Sequence, residues 1–467
     1  MKGLFSILLF CAAIGTANSQ TVLNLDSCRA MALRNNKELL IAKEKSKAAH
    51  YERKAAFTNY LPKISATGAY MHTTRELSLL SDEQKNTLTH IGTALTGKVP
   101  ALDALGIGPL LDQLGGSITE KLRTNTRNIY TGAVTVTQPI FMGGKIRSYN
   151  QIAKFAEKLS HAQENAATQE VILNTDEAYW QVVSLANKKK LAESYLKLVK
   201  QLDNDVDKMI AQGVATKADG LSVKVKVNEA EMTLTKVDNG LNLSKMLLCQ
   251  LCGISLDTPI TLADEEMKDL SLPANQPEAN VEQALTNRPE IISLELANKI
   301  YKQKVNIARS EFLPTVALTG GYLITRPNLL NSFENKFKGM WNVGVMVNIP
   351  IFHWGEGVYK VKSAKAQANA TLFELNEAKE KIELQVNQCS FKVNEAARKL
   401  TMSEKNMEKA NENLRYANLG FKEGVIPTSN VLEAQTAWLS AQSEKIDAQI
   451  EVKLTEVYLK KALGNLQ

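Results

Sequence analysis

The residues with the strongest claim to chemistry are Cys249 and Cys252, a C-x-x-C pair, and five histidines, His50, His72, His90, His161 and His353. A C-x-x-C pair acts as a redox dithiol when its setting, such as a βαβ unit, lowers one thiol pKa. Here the pair falls within a helical pattern, and Cys252 aligns with Leu463 in a later copy of the same segment. Buried packing thiols are therefore the expectation, with a redox or metal pair as the competing reading. The histidines share no metal-ligand spacing, and the chain carries no nucleophile motif, glycine-rich phosphate loop or EF-hand. The expectation is a protein that is not an enzyme, with no catalytic residue, no bound metal and no cofactor. The net charge of +7 comes from 56 basic and 49 acidic residues interspersed along helices. That pattern gives solvated faces and no nucleic-acid patch.

Long helices carry these residues. Val361, Ala368, Leu375, Ile382, Cys389, Ala396, Ser403, Ala410 and Ala417 fall seven apart. Val386, Val393, Leu400, Met407, Leu414 and Phe421 form a second row at the same spacing. The rows interleave in steps of three and four, the pattern of a coiled-coil seam. A helix from Gly355 to Gly424 would be roughly 100 Å long at 1.5 Å per residue, and it needs partners to bury its seam. Ala178, Leu185, Ala192, Val199 and Val206 form a similar row upstream.

The chain is a tandem duplication. Ala133-Val-Thr-Val-Thr-Gln-Pro-Ile-Phe-Met-Gly-Gly144 matches Gly344-Val-Met-Val-Asn-Ile-Pro-Ile-Phe-His-Trp-Gly355, and Gly213 matches Gly424 at the same offset of 211 residues. A second match, Ala56 to Tyr70 against Ala308 to Tyr322, has an offset of 252, so the first copy holds an insertion of 41 residues. Two copies of one large unit, and not a short solenoid period, define the architecture. The first repeat is expected at 20–253, with strands at about 63–72 and 129–139, an external loop at 73–128 and a helical hairpin at 144–253. A linker at 254–280 leads to the second repeat at 281–467, with strands at about 315–324 and 340–350 and a hairpin at 355–464. Leu23 to about Asn59 reads as one continuing helix, and Pro139 and Pro350 are expected to end their strands.

Each strand pair alternates. Tyr130, Val134 and Val136 oppose Thr131, Thr135 and Thr137; Trp341, Val343, Val345 and Val347 oppose Asn342, Met346 and Asn348. An apolar face with aromatic ends, opposite a Thr/Asn face, marks a transmembrane barrel strand. Tyr130 and Trp341 occupy equivalent positions, as in an aromatic girdle. Four strands cannot close a lipid-facing barrel, so copies must pool their strands, eight in a dimer or twelve in a trimer. Lys2, the apolar run Leu4 to Ile14 and Ala17-Asn-Ser19 read as an export signal at 1–19. Phe10 before Cys11 speaks against lipidation.

The two hairpins turn at Gln212-Gly-Val-Ala-Thr-Lys-Ala-Asp219 and Glu423-Gly-Val-Ile-Pro-Thr-Ser-Asn430. Gly213 and Gly424 permit the left-handed residue that ends a helix, and Asp219 and Asn430 are expected as N-caps of the returning helices. Val214 and Ala215, with Val425 and Ile426, leave an apolar tip suited to docking another protein.

The order helix, Leu-Pro, strand, loop, strand, Pro-Ile-Phe, long helix, Gly-Val turn, long helix, given twice, resembles the TolC family of outer-membrane efflux proteins. Leu23-Asn-Leu-Asp-Ser-Cys-Arg-Ala-Met-Ala-Leu-Arg-Asn-Asn-Lys-Glu-Leu39 is similar to that family's opening. The resemblance covers essentially the whole mature chain. It implies a mainly α fold with a transmembrane β part: a homotrimer whose twelve-stranded barrel in outer-membrane lipid continues into a helical coiled-coil barrel in the periplasm. It also implies a passive duct for efflux or type I secretion, docked at Gly213, Val214, Ala215, Gly424, Val425 and Ile426 to a periplasmic adaptor and served by an inner-membrane RND or ABC-type pump. By the same resemblance Asp219, Phe421, Asn430 and Glu433 lie at the periplasmic aperture. Asn430 stands where an acidic residue is common, so one carboxylate ring becomes an amide ring. Ile426 stands where a basic latch partner is usual. The competing reading is a periplasmic coiled-coil scaffold or adaptor without a pore.

The strand faces separate these readings. Val134→Lys or Val345→Lys puts a charge on the lipid face at a cost of about 2–4 kcal/mol at mid-bilayer. Both variants should accumulate less assembled protein in outer-membrane fractions; normal assembly of both would favour the scaffold.

Overall fold

The computed structural model describes residues 21–74, 80–99, 101, 105–122, 127–266, 280–328 and 335–466. The expected export signal lies outside the described residues, as do parts of the insertion and of the linker. Along the chain, β1 (Thr21–Leu23), α1 (Leu25–Asn35) and α2 (Lys37–Phe57) precede β2 (Lys63–His72). Three helices, α3 (Asp82–Thr89), α4 (Ile91–Thr96) and α5 (Gly108–Lys121), lie in the insertion before β3 (Asn128–Met142). The first hairpin is α6 (Lys145–Ala211) and α7 (Lys217–Cys252). Then come β4 (Ile260–Leu262), α8 (Val281–Asn287), α9 (Pro289–Ser310), β5 (Thr315–Arg326) and β6 (Lys338–Asn348). The second hairpin is α10 (Glu356–Lys422) and α11 (Thr428–Ala462). Both outgoing helices, α6 and α10, have 67 residues.

Two compact units emerge: residues 1–50, 155–299 and 369–467, and residues 51–154 and 300–368. The second unit contains one antiparallel sheet of order β2-β3-β5-β6. β3 runs through Pro139 to Met142 and does not stop there. Its pairing with β5 shifts register between Pro139 and Phe141, and a bulge is where a strand tolerates a proline. The described part of the insertion is helical. Asp112 on α5 accepts from Gly92 N at 2.6 Å and from Thr93 Oγ1 at 2.5 Å. A Cβ at Gly115 would lie 1.8 Å from the Leu88 carbonyl, so only glycine permits this helix contact.

In the first unit the expected continuous N-terminal helix is broken at Asn36. This residue is extended, and its Oδ1 accepts from Glu38 N at 2.9 Å and Leu39 N at 3.3 Å, capping α2. Arg288 occupies the equivalent place between α8 and α9; it is buried and donates to Gln385 Oε1 at 2.6 Å. The linker is more than a connection, because β4 pairs in parallel with β1, Leu23 opposite Leu262. Three-residue strands are too short to show a period.

The coiled-coil seam is the core. Ala368, Leu375, Ile382, Ala396, Ser403 and Ala417 are buried, as are Val386, Val393, Leu400, Met407 and Phe421. On α6, Val199 and Val206 are fully buried. Each large apolar side chain removed from water contributes about 1.5–3 kcal/mol before entropy is counted. One ion pair interrupts this core: fully buried Asp176 accepts from Arg29 Nε at 2.7 Å and Nη2 at 2.5 Å. Arg29→Ala strands the carboxylate in an apolar setting and should cost about 3–5 kcal/mol. Thermal loss of helical circular dichroism in detergent should shift well below wild type for Arg29→Ala. An unchanged midpoint would show that water reaches Asp176.

Candidate functional site

The sheet of the second unit sorts its side chains by register, because directly paired residues share a face. One face carries Ile64, Ala66 and Tyr70 on β2, then Tyr130, Val134 and Val136 on β3. It continues with Tyr322, Leu318 and Val316 on β5, and Trp341, Val343, Val345 and Val347 on β6. Ile64, Val134, Tyr322, Val343 and Val345 are all exposed in the single chain. The opposite face carries Lys63, Ser65, Thr135, Thr137, Thr319, Asn342 and Asn348, interrupted by Leu323, Met340 and Met346. Ser65 Oγ and Thr135 Oγ1 share a hydrogen bond of 2.7 Å there. The bulge at Pro139 keeps the faces sorted: the shift pairs Phe141 with Val316 and so returns an aromatic residue to the apolar face.

Aromatic residues sit at both ends of this face. At one end Tyr70 and Tyr130 stack with centroids 4.9 Å apart, Tyr130 meets Phe337 at 5.9 Å, and Tyr322 pairs with Trp341. At the other end Phe352 and Trp354 meet at 4.9 Å, just beyond β6, and Phe57 meets Tyr60 at 5.8 Å just before β2. This second group escapes a reading by strand alternation because its members lie outside the strands; the Phe141–Phe352 repeat match is the signal that points to it. Trp354 is the least expected member. It has φ of 48°, a left-handed value that L residues avoid at roughly 1–2 kcal/mol. Its counterpart in the first repeat is Gly143, with φ of 60°. This tryptophan in a glycine conformation is 88% exposed, and the Phe352 ring is its one ring contact among the described residues.

The hairpin turns, in the first unit, share one hydrogen-bond pattern. Gly213 N donates to Ile210 O at 3.0 Å and Val214 N to Met209 O at 2.9 Å; Gly424 N donates to Phe421 O at 3.0 Å and Val425 N to Gly420 O at 2.8 Å. These are Schellman caps, with φ of 74° at Gly213 and 73° at Gly424. The apolar tip is narrower than expected. Val214 and Val425 are 67% and 79% exposed, whereas Ala215 and Ile426 pack back onto the hairpin core. The expected N-caps also differ. Thr216 caps α7 and Pro427 precedes α11, which leaves Asp219 and Asn430 three residues in. Asp219 completes a capping box, accepting from Thr216 N at 3.0 Å and Thr216 Oγ1 at 2.6 Å and donating its N–H back to Thr216 Oγ1 at 3.2 Å. The Thr216 hydroxyl first, then its backbone N–H, holds the Asp219 carboxyl below its ordinary pKa. The cap is thus intact at neutral pH and weakens as pH falls through the carboxylate range.

Phe421 is buried in one apolar cluster with Tyr195, Val199, Leu202 and Val206 of α6, Val223 of α7 and Val431 of α11, so the two hairpins share a core. Asn430 and Glu433 are exposed one turn apart on α11. Asp219 is engaged in its own cap, so the structure does not join it to Phe421. Among the described residues no group of three or more His, Cys, Asp or Glu could hold a metal, and no helix is long and apolar enough to cross a membrane; the amphipathic sheet is a separate matter.

The outer membrane efflux protein family model matches residues 29–253 and 280–465. The cation efflux system protein CusC of Escherichia coli O6:H1 is 22% identical over 383 residues, covering 79% of this chain and 78% of that protein. The alkaline protease secretion protein AprF of Pseudomonas aeruginosa is 21% identical over 361 residues, 73% of this chain and 74% of that one. The crystal structure of the outer membrane protein VceC of Vibrio cholerae superposes with a TM-score of 0.72 at 16% identity, over 94% of this chain and 96% of that one. The repeated helix-strand-strand-helix order, the amphipathic sheet and a family match over both repeats lead to one assignment: the chain belongs to the outer membrane efflux proteins and is an outer-membrane channel of an efflux or secretion system.

Proposed function

We propose that three copies of this chain pool their sheets into a twelve-stranded barrel, and that the hairpin turns dock to a periplasmic adaptor and an inner-membrane pump of RND or ABC type. The observation that carries this reading is the open four-stranded sheet, apolar on one face, with β2 and β6 unpaired at its edges within one chain. Unpaired strand edges are not tolerated in hydrocarbon, and joining β6 of one copy to β2 of the next removes every edge. The two aromatic groups then sit at the two lipid–water boundaries, where Trp and Tyr are favoured. Interfacial burial of Trp354 offsets its backbone strain.

The channel is passive. Val214 and Val425 are the exposed apolar contacts offered to the adaptor, set by the rigid glycine caps beneath them. Phe421 holds the second hairpin against the first, and opening withdraws it from its pocket; Asn430 and Glu433 line the aperture. Relatives are named for cations and for an alkaline protease. Cargo so different is chosen by the pump, with the duct accepting what it is given.

The particle extracted from outer membranes should have roughly three times the mass of the chain once detergent is subtracted. A monomer soluble without detergent would end the barrel reading. In planar bilayers, Phe421→Ala and Asp219→Ala channels should each conduct small ions more readily than wild type. Wild-type conductance in both variants would remove these residues from the gate.

A further inference from the structure

Three cysteines far apart in sequence meet in one core of the first unit. Cys28, Cys249 and Cys252 are each at most 1% exposed and pack with Leu23, Tyr179 and Leu248. Their arrangement is not symmetrical. Cys252 Sγ reaches across to α1 and lies 3.7 Å from the Cys28 carbonyl oxygen, with the Cys28 side chain in the same buried cluster. Cys249 faces elsewhere, 3.9 Å from the Thr258 carbonyl oxygen. Contacts that do not involve sulfur hold α1 against the end of α7. Asn35 Nδ2 donates to Cys252 O at 3.3 Å and Asn36 Nδ2 to Leu251 O at 3.2 Å. At Gly253, with φ of 69°, an added Cβ would lie 2.4 Å from Asn35 Cβ. On the far side of the core, β1 is clamped to β4. Once α1 has docked, these contacts keep Cys28 and Cys252 side by side.

We propose that Cys28 and Cys252 are a disulfide site, oxidised in the exported chain to a bond that staples α1 to the end of the first hairpin. This rests on the reading that the first unit lies in the periplasm, where dithiols meet oxidants. The oxidant is a protein disulfide of the thiol-oxidase class. The Cys28 thiolate attacks one sulfur of that disulfide, giving a mixed disulfide and releasing one donor thiol. The Cys252 thiolate then attacks the Cys28 sulfur, forms the Sγ–Sγ bond and expels the second donor thiol. The two cysteines give up two electrons and two protons, and the donor takes both. The exchange takes place before α1 docks, because both thiols are out of reach of a protein oxidant in the folded unit. Cys249, turned towards Thr258, stays a thiol.

The test uses the full chain in a Gram-negative host with an intact periplasmic thiol oxidase. N-ethylmaleimide is added to living cells, outer membranes are isolated, and the protein is denatured in the same reagent, digested and analysed by mass spectrometry. The expected result is a Cys28–Cys252 linked peptide in most of the membrane-inserted protein, separated by reductant, with Cys249 carrying the maleimide. Cys249→Ser should keep the linkage, and a host lacking the oxidase should lose it. Maleimide on both Cys28 and Cys252 in membrane-inserted wild type, or either residue bonded to Cys249, would overturn the proposal. Such protein would still be a membrane channel, so that failure is distinct from failure of the duct.

Discussion

The unmet backbone hydrogen bonds along β2 and β6 are the constraint on which the rest depends. In water an edge strand is solvated; in hydrocarbon each unpaired N–H or C=O costs several kcal/mol. A sheet of four strands with one apolar face is thus an incomplete object in a membrane, and the proposed trimer is the arrangement that would supply its edges. Strand length follows from the same constraint. Ten to fifteen residues per strand suffice to cross an apolar band, with one aromatic group near one end of the strands and another just beyond the other end. The bulge at Pro139 belongs here too, since it restores Phe141 to the lipid-seeking face when a proline would otherwise end a central strand.

Duplication explains why both outgoing helices have 67 residues. Two hairpins that share a core, Phe421 of one clustering with residues of the other, must keep the same length if their turns are to end together. The copies diverge where that demand is absent. Asn36 and Arg288 break equivalent helices with different chemistry, a side-chain cap in one and a buried guanidinium in the other. Gly143 and Trp354 share a left-handed backbone, but only the second carries an exposed aromatic side chain. The insertion exists in one copy alone and folds by glycine-mediated helix contacts.

Residues that look chemically active in the sequence serve packing and assembly. The histidines are dispersed, and His50 and His161 make local polar contacts with Glu157 and Ser46. Cys28, Cys249 and Cys252 gather at the junction of α1 and α7, where the proposed covalent link would add to the polar contacts of Arg29, Asn35 and Asn36. Burial raises the Cys249 thiol pKa above its ordinary value, which suits a side chain kept for packing.

What the sequence by itself determined is whatever repeats at short range. Heptad rows gave the long helices, alternation gave the faces of β3 and β6, and the two constant offsets gave the duplication, because each is written in local spacing. Gly213 and Gly424 marked the turns for the same reason. Tertiary structure decided the features that depend on residues distant in the chain. It made Thr216, and not Asp219, the cap residue, and it folded Ile426 back over Gly420 so that one valine per hairpin is left outside. It also paired β1 with β4 and carried β3 past Pro139. Cys28 and Cys252 lie far apart in sequence and share no pattern; only the docking of α1 against α7 brings the two residues together, because contact between distant segments is set by packing and not by periodicity.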